Sequence, residues 1–213
     1  MERKNGTRTR KPLGEILLEK YIITQEMLDF ALELQKKERG KYLGQIILEL
    51  GIPQDQLNEA LDYFQHRKKI GDILVEDKII LPAQLQEALA KQREGGRFNK
   101  PLGRILMDFG YIDYDQYINA LAKHFLMQVV SLRNFQPSKR LQKIIGEVYA
   151  KKNKIVVLEN GLDKLKLALS EPNSTLVEEI RRFALLSKRI EFYLAQSSEI
   201  DPCLEKLAAD RTR

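Results

Sequence analysis

PLGEILLEKYIITQEMLDFALELQ, residues Pro12 to Gln35, is a pattern that the chain repeats. It returns from Tyr42, from Lys69 and from Pro101. Each copy opens on an apolar residue and a glycine: Leu13-Gly14, Leu43-Gly44, Ile70-Gly71 and Leu102-Gly103. Aliphatic residues follow three and four positions after the first of these (Ile16/Leu17, Ile46/Ile47, Ile73/Leu74, Ile105/Leu106). After a short break a second apolar pattern ends in Ala31-Leu32, Ala60-Leu61, Ala88-Leu89-Ala90 or Ala120-Leu121-Ala122. The glycines are 30, 27 and 32 residues apart. A near-constant period of this length marks stacked supersecondary units.

Apolar residues at i, i+3, i+4 and i+7 place one greasy stripe on a helix. Each copy therefore reads as two short helices forming a hairpin, and a lone hairpin cannot bury its own stripe. Thr24 and Asp113 stand where a helix N-cap is required, and Pro82 in a first turn, where a missing N–H costs nothing. Pro53 reads the same way in copy two, which is one residue short. The glycine after the opening apolar residue has two readings. It lets one backbone approach another closely, or it leaves backbone bare for a ligand; spacing favours the first.

Beyond His124 the pattern changes. Val129 to Leu132 reads as a short strand and Pro137 to Lys151 as a helix carrying Leu141, Ile144, Ile145 and Val148 on one side. Ile155–Leu158 is β-branched and strand-like. Glu159-Asn160-Gly161 signals a hairpin turn, and Leu165–Leu169 alternates as a half-buried strand does. A helix to about Leu186, a strand over Arg189–Ala195 and a helix over Glu199–Ala209 complete the series. The fold class is α+β: four all-α hairpin repeats in two tandem pairs, then a small α/β domain with a mixed sheet. The expected boundaries are a disordered basic tail at 1–10, a first repeat pair at 11–66, a second at 67–127 and the α/β domain at 128–213.

The 213 residues carry a formal charge of +6, and Arg3, Lys4, Arg8, Arg10 and Lys11 against Glu2 supply +4 of it within the first eleven. The rest is nearly balanced, so nucleic acid is not an expected partner. No apolar run is long enough for a membrane span. The single Cys203 makes no disulfide framework, and with His66 and His124 it forms no metal-ligand spacing. No nucleophile stands with a base and an acid, and Glu33, Glu49, Glu87 and Asp115 fall on polar helix faces. The expectation is no enzyme, no cofactor and a cytoplasmic site, at most peripheral to the inner membrane. Basic residues cluster at the junctions 36–41, 67–69 and 93–100. They suit helix C-termini and also the binding of a phosphate.

The repeat L-G-x-x-L-(L/V)-x-x-G-x-(L/I)-x-x-x-x-L-x-x-A-L-x-x-Q resembles the N-terminal region of type II secretion and type IV pilus assembly ATPases, an MshEN-type repeat. The stretch from Val129, with Ser170-Glu171-Pro172-Asn173 after a strand and then R-I-E-F-Y-L-A, is similar to the α/β domain that follows such repeats. The resemblance covers about residues 10 to 207. It implies a non-catalytic regulatory or docking module that binds the inner-membrane platform or the ATPase of such a machine. It also implies, as an alternative, a receptor for cyclic di-GMP on the Leu-Gly turns. The implied ligand set is Lys69, Ile70, Gly71, Leu74 and Gln92 with Leu102, Gly103 and Leu106. The first copy adds Leu13, Gly14 and Gln35, and Arg10 stands in for an arginine that this chain lacks. Receptor members open the repeat with Arg-Leu-Gly; here that position holds Pro12, Tyr42, Lys69 and Pro101. Lysine supplies charge but no planar fork of donors. The closing glutamine is kept as Gln35 and Gln92 and replaced by Phe64 and His124. The mid-repeat glycine is kept as Gly51 and Gly110 and replaced by Tyr21 and Lys78. The ATPases continue into a nucleotide-binding domain, and no G-x-x-x-x-G-K-[ST] occurs in this sequence.

Overall fold

A computed structural model describes residues 11–38, 40–63, 67–95, 100–184 and 188–209. The expected tail at 1–10 and the residues Phe64 and His66 lie outside these. Contacts divide the chain into two units, one up to Arg67 and one from Lys68 onward.

The four copies are four helical hairpins: α1 (Leu13–Glu19) with α2 (Gln25–Lys37), α3 (Leu43–Glu49) with α4 (Gln54–Tyr63), α5 (Ile70–Glu76) with α6 (Pro82–Glu94), and α7 (Leu102–Asp108) with α8 (Tyr114–Phe125). The aliphatic pair of each first helix forms the core. Ile16, Leu17, Ile47, Ile73, Leu74 and Leu106 are fully buried, as are Ala31 and Ala88 on the facing helices. Each hairpin turns in one way. The Ile22 N–H donates to the Leu17 carbonyl and the Tyr21 N–H to Leu18, and the same two bonds recur at Ile52/Gly51, Ile79/Lys78 and Tyr111/Gly110. This double closure needs a left-handed residue just past the helix. Tyr21, Gly51, Lys78 and Gly110 take it, at φ 54°, 93°, 59° and 70°. The mid-repeat glycine is thus a cap, and Tyr21 and Lys78 hold the same conformation with a Cβ in place.

The second helix then starts as expected. Thr24 accepts from the Met27 N–H, and Asp113 exchanges two bonds with Gln116, at 2.7 and 2.9 Å. Pro82 opens α6. Pro53 instead lies one residue before α4, and its carbonyl accepts from Leu57.

Within each unit two hairpins pack reciprocally. In the first, α2 lies against α3 and α1 against α4; in the second, α6 against α7 and α5 against α8.

The second unit continues into β1 (Gln128–Val129), α9 (Lys139–Gln142), α10 (Glu147–Asn153), β2 (Ile155–Asn160), β3 (Lys164–Leu169), α11 (Ser174–Ala184), β4 (Arg189–Leu194) and α12 (Ser197–Ala209). The sheet order is β1-β4-β3-β2, with β2/β3 antiparallel and both β3/β4 and β1/β4 parallel. The mixed sheet of the sequence reading is therefore borne out. The parallel pairs require crossovers, and α11 provides that between β3 and β4. Leu165, Leu167, Leu169, Ile190, Phe192 and Leu194 make the buried face.

Two readings change. The helix expected over 137–151 is broken: Gly146 sits at φ 81°, and α9 and α10 flank it. Ile144 and Val148, expected on one side with Leu141 and Ile145, are 49% and 83% exposed. The strand expected over 129–132 ends at Val129, although the Val130 N–H still donates to Leu194. The free edge of β2 is closed by a side chain. Buried Gln142 donates to the Ile155 carbonyl and accepts from the Val157 N–H, at 3.2 and 3.1 Å, as a neighbouring strand would.

Candidate functional site

The Leu-Gly turns are the first turns of α1, α3, α5 and α7. A methyl group built on Gly14 would lie 2.8 Å from Leu28 Cδ1, on Gly71 2.6 Å from Leu85 Cδ1, and on Gly103 2.0 Å from the Tyr117 ring. The three contacting residues each lie fourteen positions after their glycine. The bare backbone is filled by the second helix of the same hairpin. Close approach therefore accounts for these three glycines.

Leu74 and Leu106 are core residues with no exposure. Leu13, Ile70 and Leu102 are half-buried and Lys69 is exposed. Ile70, Gly71 and Leu102 come together, since Leu102 Cδ2 lies 3.4 Å from the built methyl on Gly71. Leu13, Gly14 and Gln35 belong to the first unit; Arg10 lies outside the described residues. Gln35 Nε2 donates to the Lys41 carbonyl at 3.1 Å and Gln92 Nε2 to the Lys100 carbonyl at 2.9 Å. The closing glutamine thus ties each odd copy to the entry of the next. His124 answers in the other direction, its Nδ1 lying 2.6 Å from the Lys68 carbonyl. A carbonyl accepts only, so Nδ1 carries the proton. Copies three and four exchange bonds.

The junction lysines are engaged too. Lys11 pairs with Glu19, Lys41 with Glu49, Lys68 with Glu76 and Lys100 with Asp108, at 2.5 to 2.8 Å and always eight residues apart. Each lysine stands three before its glycine and each acid ends the helix that follows. Donating to Glu19 raises the Lys11 pKa, and donating to Glu38 and Glu49 raises that of Lys41. All four pairs are substantially exposed, so they add little stability. They place one ammonium beside every turn.

One contact of the fourth turn has no counterpart in the reading from sequence. Arg104, directly after Gly103, pairs with Glu171, which precedes α11. Beside it, the Ser197 N–H donates to Tyr114 Oη at 3.2 Å and Gln196 Nε2 donates to Asp115 at 3.0 Å. Three side chains from the first turns of α7 and α8 thereby reach the loops that start α11 and α12. Glu199, in the first turn of α12, accepts from the Leu132 N–H, Ser131 Oγ and Arg133 Nε. Burial pushes its pKa up, but these hydrogen bonds outweigh burial and the result is lowered.

Residues 125–213 match the MshEN domain. The resemblance read from the sequence is borne out. That span begins at the end of α8 and covers the whole α/β portion. The chain is 22% identical over 143 residues to the type IV pilus assembly ATPase PilB of Myxococcus xanthus (strain DK1622). The match takes in 67% of this chain and 25% of PilB, so the chain spans about a quarter of the length of that relative. A solved structure of MshE with cdg is 27% identical, with a TM-score of 0.59, and covers 66% of this chain and 99% of that one. The N-terminal domain of XpsE gives 17% identity, a TM-score of 0.46 and coverage of 67% and 94%. Among the described residues no helix is long and apolar enough to cross a membrane, and no three His, Cys, Asp or Glu side chains are grouped to hold a metal.

Proposed function

We infer that this chain is a non-catalytic regulatory and docking module of a type II secretion or type IV pilus system. It would work by contact with the inner-membrane platform or the ATPase of that machine, at the cytoplasmic face. The observation that carries this reading is the match to MshE at 27% identity, which takes in 99% of that chain and two thirds of this one. The alignment with one quarter of a pilus ATPase supports it. In this reading the chain divides at 11–66, 67–127 and 128–213, two repeat pairs ahead of the α/β domain. The test is interferometry of the purified chain against the platform's cytoplasmic segments and the ATPase. Micromolar binding to one of them is expected; no binding to any at 100-fold higher concentration, about 3 kcal/mol weaker, would overturn the docking role.

A second reading, a cyclic di-GMP receptor, is favoured by the ligand present in the MshE structure. Exposed Lys69 and the pair Ile70-Gly71 beside Leu102 would form its centre, with Gln92, Gly103, Leu74 and Leu106 holding the turns in place. Calorimetry with cyclic di-GMP tests it. Micromolar binding lost in Lys69→Ala, with an unchanged melting curve, is the expected result. Absence of heat at high micromolar ligand leaves docking alone.

A further inference from the structure

Two surfaces carry large apolar side chains that the fold leaves uncovered. On α2, Phe30 is 56% and Leu32 38% exposed. Glu26, Asp29, Phe30 and Glu33 follow the spacing i, i+3, i+4, i+7 and so share one face, which Leu32 borders. Asp29 accepts from Gln25 and Glu33 pairs with Lys36, both at the surface. The repeat does not require an apolar residue at this place: the position of Phe30, seventeen after the opening apolar residue, is Glu87 in α6 and Asn119 in α8. The complementary chemistry stands between α10 and α12. There Val148, Lys151, Leu204, Leu207 and Ala208, with Glu147, line a cavity of about 160 Å³. A void of roughly 150 Å³ is enough for a benzene ring. Val148 at its mouth is 83% exposed. The segment 139–154 carries six Lys or Arg against Glu147 alone. Lys154 pairs with Asp201, and among the described residues Arg140, Lys143, Lys151 and Lys152 are in no ion pair.

We propose that α2 of one copy docks in the α10–α12 groove of a second copy of this chain, with the Phe30 ring in the cavity and its acidic neighbours against Lys151 and Lys152. An amphipathic helix enters a groove by such an apolar anchor, and opposite charges along the rim fix its orientation. The two faces differ, so the contact is head-to-tail and builds rings or open chains rather than a two-fold pair. One helix in one groove is a small interface, and the association is weak and micromolar. It requires no ligand and no other protein of the machine.

Sedimentation velocity of the whole chain tests this. The parent should form species larger than a dimer as its concentration rises from about 3 to about 300 µM. It should form fewer of them in about 1 M salt, where charges act over roughly 3 Å. Phe30→Lys sets a cation against the groove, and Val148→Glu sets a carboxylate against the helix. Each is expected to weaken association about tenfold. Mixed in equal amounts the two variants should associate again, because Val148 of the first meets Phe30 of the second. Both positions are exposed, and Glu33→Lys with Lys151→Glu replaces them if a melting curve shows loss of fold. Variants that associate as the parent does, or that stay apart when mixed, overturn the contact. A parent that is monomeric throughout leaves both faces to another protein and overturns it as well.

Discussion

In the second repeat pair Gln92 donates to the Lys100 carbonyl and His124 donates back to that of Lys68. In the first pair Gln35 donates to the Lys41 carbonyl, but the position matching His124 is Phe64, whose ring has no such donor. The hairpins themselves are alike: the same aliphatic core, the same left-handed cap, the same lysine–carboxylate pair eight residues apart. What differs is attachment. The second pair belongs to one unit with the α/β portion, through Arg104, Tyr114 and Asp115. The repeated positions build a hairpin; the unrepeated ones decide what it is fastened to.

The largest effect expected from this contrast is at the glycines. Gly103→Ala forces a methyl into a rigid aromatic ring, whereas Gly14→Ala meets the mobile end of Leu28. The first should cost about 3 kcal/mol and the second ~1 kcal/mol, read by urea denaturation. Equal costs would mean that the second helices are not what fills the turns.

His124→Phe converts the second pair to the chemistry of the first. It should cost about 1 kcal/mol, the worth of one hydrogen bond, and quicken amide exchange in α5. His124→Gln restores the donor used at Gln35 and Gln92, and should recover most of that loss. If phenylalanine is tolerated as well as glutamine, the reciprocal bond does not close the pair.

The hairpins were legible because their signal is local. Apolar spacing, Thr24, Asp113 and Pro82 all act within one or two turns. The packing role of Gly14, Gly71 and Gly103 was legible for the same reason, as the favoured one of two readings. The ion pairs were not, because Lys11 and Glu19 are ordinary surface types whose spacing means something only once the helix ends are known. Gln142 was invisible too: a glutamine in an apolar stretch gives no sign that it will close a strand edge thirteen residues away. The helix expected over 137–151 failed at Gly146, where its periodicity outweighed one glycine that the chain uses at φ 81°. Of the candidate ligand residues, those chosen for matching the repeat proved to be the ones that build it. The Arg104–Glu171 link lies outside the repeat's conserved spacing within this chain, so the motif could not point to it.

The smallest effect separates the caps. Gly51 and Gly110 meet nothing within 4 Å of a built Cβ, so their role is conformational rather than one of packing. Tyr21 and Lys78 occupy the same left-handed state, and Tyr21 is 95% exposed. A side chain there carries strain of about 1 kcal/mol that glycine avoids, offset in part by glycine's greater freedom when unfolded. Tyr21→Gly and Lys78→Gly should each raise stability by roughly 0.5 kcal/mol, and Gly110→Ala should lower it by ~1 kcal/mol. The gains should be equal in the two pairs, because the cap is made within one hairpin and does not depend on what the hairpin is fastened to. A gain at Lys78 but a loss at Tyr21 would show that the exposed tyrosine makes contacts of its own, and the two pairs would then differ in their repeated positions as well.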